Sequence, residues 1–352
     1  FLGDIPNPAT LTNRLEDIVL DETKDDLIKI FQDSDLSRVF LKTTAGSSYL
    51  AAAIRRCPQF MRTVYLNRGC FSRKDRNQKQ AELKEQVSGA IESSNFDQLL
   101  RLYKEEDFLR IGTRDLSELA DVIEIMAELS DLASAMVHIS LEFHFNRLAQ
   151  KHGRPSSLLE GMGIVAFAMG KLAGRELNFS SDIDLIFLRI PEEGWTEGDS
   201  RITVGKFYES LVRSVAKSLS EVTEDGFVFR VDLRLRPEGE KGELVPSLPN
   251  ALDYYLAWGR TWERAALMRA RPIAGDLNAG KEFLKDLEPF IYRKHLDYST
   301  LDDMRDMKAR IESQLRLKPG VNIKLGQGGI REVEFFVQAL QLINAGRTPR
   351  VR

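Results

Sequence analysis

The sequence predicts an α+β protein, with a small mixed sheet and its packed helices flanked on both sides by helical regions. Three observations carry this prediction. A long stretch without Gly or Pro precedes residue 153, two short apolar runs follow in the middle of the chain, and residues 227–235 alternate apolar with charged side chains.

The elements follow in order. Residues 1–157 read as a helical region, with amphipathic patterns at about 11–31, 36–54, 79–93 and 95–111. A further helix is expected from Thr113 to His152, where Leu116, Leu119, Ile123, Met126, Ala133 and Val137 keep one face apolar and Gly112 and Gly153 mark the ends. Residues 158–297 change character. Ile164–Met169 is an apolar run ending at Gly170, and Phe179–Leu188 reads as a second strand. Phe207, Leu211, Val215 and Leu219 give a helix over about 201–222, and Phe227–Leu235 reads as a third strand closed by Pro237. From about 250 onward the patterns are helical. Residues 298–352 form a C-terminal helical region, with loops at Lys318-Pro319-Gly320 and Gly326-Gln327-Gly328-Gly329.

Composition bounds the function. The chain has 352 residues, 43% apolar and 29% charged, as expected of a soluble globular protein. A net charge of −3 gives no overall attraction to nucleic acid, so none is expected as a partner. Cys57 and Cys70 form neither a zinc pattern nor a disulfide framework. No apolar run is long enough to span a membrane, and the first residues lack a secretory signal, so a cytoplasmic protein is expected. Because residue 1 is Phe and the chain stops at Arg352 near a helical pattern, an excised fragment is expected.

The chemistry lies on the polar strands. Side chains two apart on a strand share a face, so Asp182 and Asp184 are expected to point the same way, roughly 6.6 Å apart along the backbone. Such a pair repels unless it is solvated at a strand end or holds a cation between its members. Mg²⁺ suits the second case, because it prefers carboxylate oxygens and keeps water and phosphate as its other ligands. In the third strand Arg230, Asp232, Arg234 and Arg236 share one face. Either these charges pair with one another, or Asp232 completes a metal trio and the arginines hold phosphate oxygens. Gly170-Lys171-Leu172-Ala173-Gly174 follows the first strand, where Gly170 lets backbone approach a phosphate and Lys171 adds charge. An ordinary strand-to-helix turn fits the same residues, which match neither a Walker A loop nor the Rossmann glycine pattern. His138 and His144 do not share a helix face and read as packing residues. Glu332 and Glu334 read as helix-start acids. Tyr254, Tyr255, Trp258 and Trp262 read as packing, with adenine stacking the minority reading.

The segment Gly170-Lys171-Leu172-Ala173-Gly174-Arg175-Glu176-Leu177-Asn178-Phe179-Ser180-Ser181-Asp182-Ile183-Asp184-Leu185-Ile186-Phe187, with the later strand acid Asp232, resembles the polymerase-β-type nucleotidyltransferases. More narrowly it resembles the glutamine synthetase adenylyltransferase family. So do Arg230-Val231-Asp232-Leu233-Arg234-Leu235-Arg236-Pro237, Thr261-Trp262-Glu263-Arg264-Ala265-Ala266 and Ala270-Arg271-Pro272-Ile273-Ala274-Gly275-Asp276. The similarity runs from about 158 to 345. Lys171 stands where the wider superfamily has Ser, and Ala173 where the family commonly has Gly. That family is bifunctional, with two nucleotidyltransferase halves. Glu176–Ser181 and Gly326–Phe335 are similar to its N-terminal, adenylyl-removing half.

The resemblance implies removal of AMP from an adenylylated tyrosine of glutamine synthetase by inorganic phosphate, releasing ADP. It implies Asp182, Asp184 and Asp232 as catalytic residues and as ligands of two Mg²⁺ ions, with Mn²⁺ as the alternative. Gly170, Lys171, Arg234 and Arg236 are expected to contact phosphate or nucleotide. Ser180 and Ser181 either donate to phosphate or cap the turn. Expected partners are glutamine synthetase, the PII signal protein, ADP or ATP, and the second nucleotidyltransferase half. The alternatives are the adenylyl-adding reaction from ATP and a non-catalytic module that binds nucleotide or PII.

Overall fold

The structure, a computed structural model, describes residues 8–20, 22–90, 92–158, 160–293 and 328–351. It divides into two compact units. The first gathers Phe1–Phe143, Arg175–Asp182 and Ser214–Val231; the second gathers His144–Gly174, Ile183–Arg213 and Asp232–Arg352.

The first unit is helical. Its leading helices are α1 (Pro8–Ile18), α2 (Lys24–Gln32), α3 (Ser34–Gly46) and α4 (Ser48–Arg56). A π-helical turn at Met61–Leu66 precedes α5 (Arg76–Val87), α6 (Ser93–Leu116) and α7 (Val122–His152), the last of which passes into the second unit at His144. Side-chain caps set several starts: Asp33 accepts from the Asp35 and Leu36 amides, Ser47 from Leu50, and Asp75 forms a capping box with Gln78. Ile30, Phe40, Ile54, Tyr65 and Leu109 lie at the centre of the core. Beneath them runs a buried ionic network joining α5, α6 and α7. Asp107 takes Lys79 at 2.5 Å and Arg110 at 2.6 Å, and Glu128 takes Arg110 at 2.6 Å and Arg114 at 3.0 Å.

Three expected helices are each divided. The pattern over 11–31 breaks at Thr23, whose hydroxyl donates to the Ile18 carbonyl and accepts from the Leu20 amide, both at 2.8 Å. The pattern over 36–54 breaks at the cap Ser47. The expected helix from Thr113 to His152 is two: α6 ends when Glu118 turns left-handed (φ 57°) and the Leu119 amide reaches back to the Arg114 carbonyl at 2.8 Å. Asp121 then caps α7 through the Glu124 amide at 2.8 Å. Gly112 is no terminator. It lies inside α6, where a Cβ would stand 2.6 Å from Leu50 Cδ1, so its role is close packing of α4 on α6.

The sheet has four strands in the order β3-β2-β1-β4. β1 (Ile164–Met169) is buried throughout and pairs antiparallel with β2 (Ile183–Arg189) and β4 (Ala270–Gly275). β3 is only Val231–Asp232. α8 (Gly170–Ala173), α10 (Leu248–Trp258) and α12 (Leu277–Asp286) pack against the strands of the sheet, and α9 (Val204–Ser220), α11 (Thr261–Leu267) and α13 (Glu288–Ile291) complete the order. Val165, Phe167, Ile186, Tyr255, Phe283 and Leu287 share the core of the second unit. A last helix, α14, spans Ile330–Asn344.

β1 lies where the sequence places it, and the architecture is the expected α+β arrangement. The other strands differ. β2 begins at Ile183 because the Ser181 amide donates to the Asn178 carbonyl, closing a turn where extended chain is expected. The third strand shrinks to two residues for two reasons. Val228 and Phe229 both donate their amides to the Leu219 carbonyl at the end of α9, and both are buried, which breaks the alternation. Downstream, Asp232 accepts from the Arg234 amide at 2.8 Å and turns the chain away. β4 replaces expected helix; its register slips opposite Ala166/Phe167, next to Pro272, which has no amide to give the ladder. The expected loops at 318–320 and 326–327 lie outside the described residues.

Candidate active site

In the second unit the site is built on the ends of β1, β2 and β3. β1 delivers the chain to Gly170, whose φ of 54° lets it turn at once into the single-turn helix α8. Arg271 on β4 secures that turn, donating to the Leu172 and Ala173 carbonyls at 2.9 Å each. Lys171 is exposed on α8. Asp184, the second residue of β2, is half-buried beside the turn. A Cβ built on Gly170 would stand 3.5 Å from Asp184 Oδ2, so the glycine backbone passes close to this carboxylate.

Asp232 lies on β3, next to β2 in the sheet. Arg234 grips it, with Nε at 3.0 Å, Nη2 at 2.5 Å and the main-chain amide at 2.8 Å. The Arg234 side-chain hydrogen bonds hold the Asp232 carboxyl below its ordinary range, against the opposing effect of burial. Asp184 adds a weaker attraction to the Arg234 cation. Arg236 is committed to its own loop, donating to the carbonyls of Leu233 at 2.8 Å, Glu240 at 3.0 Å and Gly242 at 3.4 Å.

In the first unit the segment Arg175–Asp182 carries the remaining candidates. Arg175, left-handed at φ 59°, forms two 2.7 Å bonds to the buried carboxylate of Asp131. The Leu177 amide donates to Ser130 Oγ at 3.2 Å, and Phe179 meets Phe108 edge-on at 5.3 Å. Ser181 Oγ accepts from the Asn178 amide at 3.2 Å, so of its two expected roles the structure displays the turn cap. The Ser180 carbonyl accepts from Arg230 Nη2 at 2.7 Å, and the same guanidinium pairs with Asp182.

The acids are hard oxygen donors, the chemistry that suits Mg²⁺ or Mn²⁺ rather than a soft metal. As they stand, Asp182 and Asp232 each carry an arginine counter-ion. Among the described residues no group of three or more His, Cys, Asp or Glu side chains forms a ready metal cage. The donor set fits such ions in kind, and occupancy would require the acids to exchange arginine for metal.

Burial drives the His144 imidazole down to about 4 and lowers His138 as well. Tyr255 is buried in the core as expected and Tyr254 donates to Glu263 at 3.1 Å, whereas Trp258, expected to pack, is 77% exposed. Glu332 accepts from the Gly328 amide at 2.7 Å, and Glu334 pairs with Arg269 at 3.2 Å. Sequence reasoning missed Arg175, Asp131, Ser130 and Arg271 as the parts that hold the site in place. Only the first and last of these lie in segments with a family resemblance. No helix among the described residues is long and apolar enough to cross a membrane.

Comparison with known proteins places these features in a family. Residues 37–286 match the family described as glutamate-ammonia ligase adenylyltransferase, and residues 302–351 match the PII-uridylyltransferase description. The chain is 38% identical over 352 residues to a bifunctional glutamine synthetase adenylyltransferase/adenylyl-removing enzyme of Thioalkalivibrio sulfidiphilus, covering 96% of this chain and 36% of that protein. It is 41% identical to the enzyme of the same name from Methylococcus capsulatus (76% of this chain, 28% of that protein). It is 44% identical to that of Pseudomonas aeruginosa, with the same coverage. The chain thus spans about a third of the length of the curated relatives it matches. With a family match across most of its length, the chain belongs to the glutamate-ammonia ligase adenylyltransferase family of nucleotidyltransferases.

Proposed function

We propose that this chain is the adenylyl-removing half of such an enzyme. It transfers AMP from an adenylylated tyrosine of glutamine synthetase to inorganic phosphate, releasing ADP and the free tyrosine. One observation carries the reading: Asp184 and Asp232 lie on neighbouring strands, with the Gly170 backbone turned against Asp184. Asp182, two residues earlier in the chain, is proposed as the third carboxylate. The phrases at 176–181 and 326–335 favour the removing direction over ATP-dependent addition. The match at 302–351 supports PII as a regulatory partner. We also propose a second nucleotidyltransferase half in the whole polypeptide and a cytoplasmic setting.

In the reaction an oxygen of phosphate bonds to the adenylyl phosphorus, the bond from phosphorus to the tyrosyl oxygen breaks, and that oxygen takes a proton. Asp182, Asp184 and Asp232 would hold the divalent ions, which when bound neutralise charge on the phosphoryl oxygens. Arg234, paired with Asp232, would contact incoming phosphate on leaving that carboxylate, and the exposed Lys171 would serve the same task. Gly170 lets backbone approach the phosphoryl group without a side chain in the way. Ser180 and Ser181 would donate to phosphate oxygens in this reading, while Arg236 shapes its own loop.

The test combines adenylylated glutamine synthetase, phosphate and Mg²⁺ and measures ADP. We expect release by the wild-type chain and a loss of more than about a hundredfold in Asp184→Asn, since several kcal/mol of charge stabilisation disappear. ATP-dependent modification without ADP release would reverse the assigned direction, and full turnover by the variant would remove the carboxylate role.

A further inference from the structure

The four residues of α8 are too few to hold a helical turn by themselves, because closing one turn fixes several residues for a single hydrogen bond. Here that bond runs from the Gly174 amide to the Gly170 carbonyl at 3.1 Å. The later carbonyls of the turn need partners from outside it. Arg271 supplies them from β4: Nε donates to the Ala173 carbonyl and Nη2 to the Leu172 carbonyl, both at 2.9 Å. A planar guanidinium fork matches two neighbouring carbonyls, which the point charge of a lysine does not.

Arg271 reaches this position through the irregularity of β4. Ala166 pairs with Ala274 but Phe167 pairs with Pro272, so Ile273 is an extra residue on that strand. In regular register Arg271 would stand opposite Met169, on the face where Val165, Phe167 and Met169 join the core. The extra residue moves it opposite Ala168 instead. One residue of slip exchanges the two faces of a strand, so the bulge turns the guanidinium away from the core. The turn held in this way is the one that sets the Gly170 backbone beside Asp184 and leaves Lys171 exposed.

We propose that Arg271 is a positioning residue for the phosphate end of the site. It sets the affinity for inorganic phosphate by fixing the turn that carries Gly170 and Lys171, acting through that turn rather than on the reactants. The inference rests on the phosphorolytic reading for what the turn does, whereas the hold of Arg271 on the turn follows from its hydrogen bonds. Misplacing a binding element by about 1 Å can cost on the order of a hundredfold in rate, so a loosened turn is measurable.

The experiment follows ADP release against phosphate concentration for wild type, Arg271→Ala and Arg271→Lys, with and without guanidinium ion at concentrations that do not denature. Arg271→Ala should raise KM for phosphate at least about tenfold, the loss of one charge-assisted hydrogen bond. KM for adenylylated glutamine synthetase should stay unchanged, and Arg271→Lys should fall between the other two. Guanidinium should restore part of the Arg271→Ala loss saturably and give wild type nothing, a pattern that a general loss of stability does not produce. In parallel, hydrogen exchange should show the Gly174 amide opening about tenfold faster in Arg271→Ala and slowing again with guanidinium. An unchanged KM for phosphate in either variant, a loss shared equally by both substrates, or no rescue by guanidinium overturns the proposal. If Arg271→Ala does not fold, Arg271→Lys decides by the same KM and exchange measurements. No ADP release from wild type strikes the phosphorolytic reading instead, and exchange at Gly174, which needs no substrate, still shows whether Arg271 fixes the turn.

Discussion

Glu128→Gln tests whether the buried ionic network holds the helical unit together. Glu128 is fully buried. It accepts from Arg110 at 2.6 Å, from Arg114 at 3.0 Å and from the Lys74 amide at 3.0 Å, with Lys79 Nζ 3.9 Å away. The cluster balances Lys79, Arg110 and Arg114 against Asp107, Glu128 and the partly exposed Glu124. The substitution keeps size and one acceptor but leaves an excess positive charge, and it turns an amide donor toward guanidinium donors. Removing one partner of a buried pair costs about 3–5 kcal/mol. Glu124 still serves Arg114, so the lower end, about 3 kcal/mol, is expected. For a domain of 150–250 residues that corresponds to a Tm lower by roughly 6–12 °C. Thermal unfolding followed by far-UV circular dichroism reads it. The loss should persist in 0.5 M NaCl, because salt screens buried pairs poorly. A loss below about 1 kcal/mol, the size of a surface ion pair, would refute the reasoning.

Two further outcomes follow from single groups. His144 protonates near about 4 in the folded protein against 6.5 ordinarily. The unfolded chain therefore binds the extra proton between those values, and stability falls as pH drops through that window, by up to about 3 kcal/mol. Denaturant melts from pH 7 to 4 should show this slope in the wild type and a shallower one in His144→Gln; parallel slopes would discount the imidazole. Gly170→Ala forces a side chain into a left-handed backbone and sets a methyl beside Asp184, costing about 1–2 kcal/mol. Urea melts should register that cost and the ADP-release assay a lower rate, and an unchanged pair of values would contradict the assigned turn.

Much was legible because it depends on local pattern. Ile164–Met169 is uniformly apolar and forms the central strand at those bounds. The α9 face of Phe207, Leu211, Val215 and Leu219 is buried as its spacing requires. The errors fall where a side chain or a non-glycine backbone ended an element. Glu118 takes the left-handed position usually given to glycine, so the end of α6 had no visible mark. β4 is short, contains Arg271 and Pro272, and slips register, so no alternation announced it.

Taken by itself, the sequence determined the fold class and the family, because apolar periodicity and residue type are properties of the chain. The tertiary structure decided which charges are committed. Asp232 with Arg234, Asp182 with Arg230, and Arg236 with its own loop are long-range or turn-dependent outcomes. The physical reason is that a charge's partner depends on distance and burial in three dimensions, which spacing along the chain does not encode.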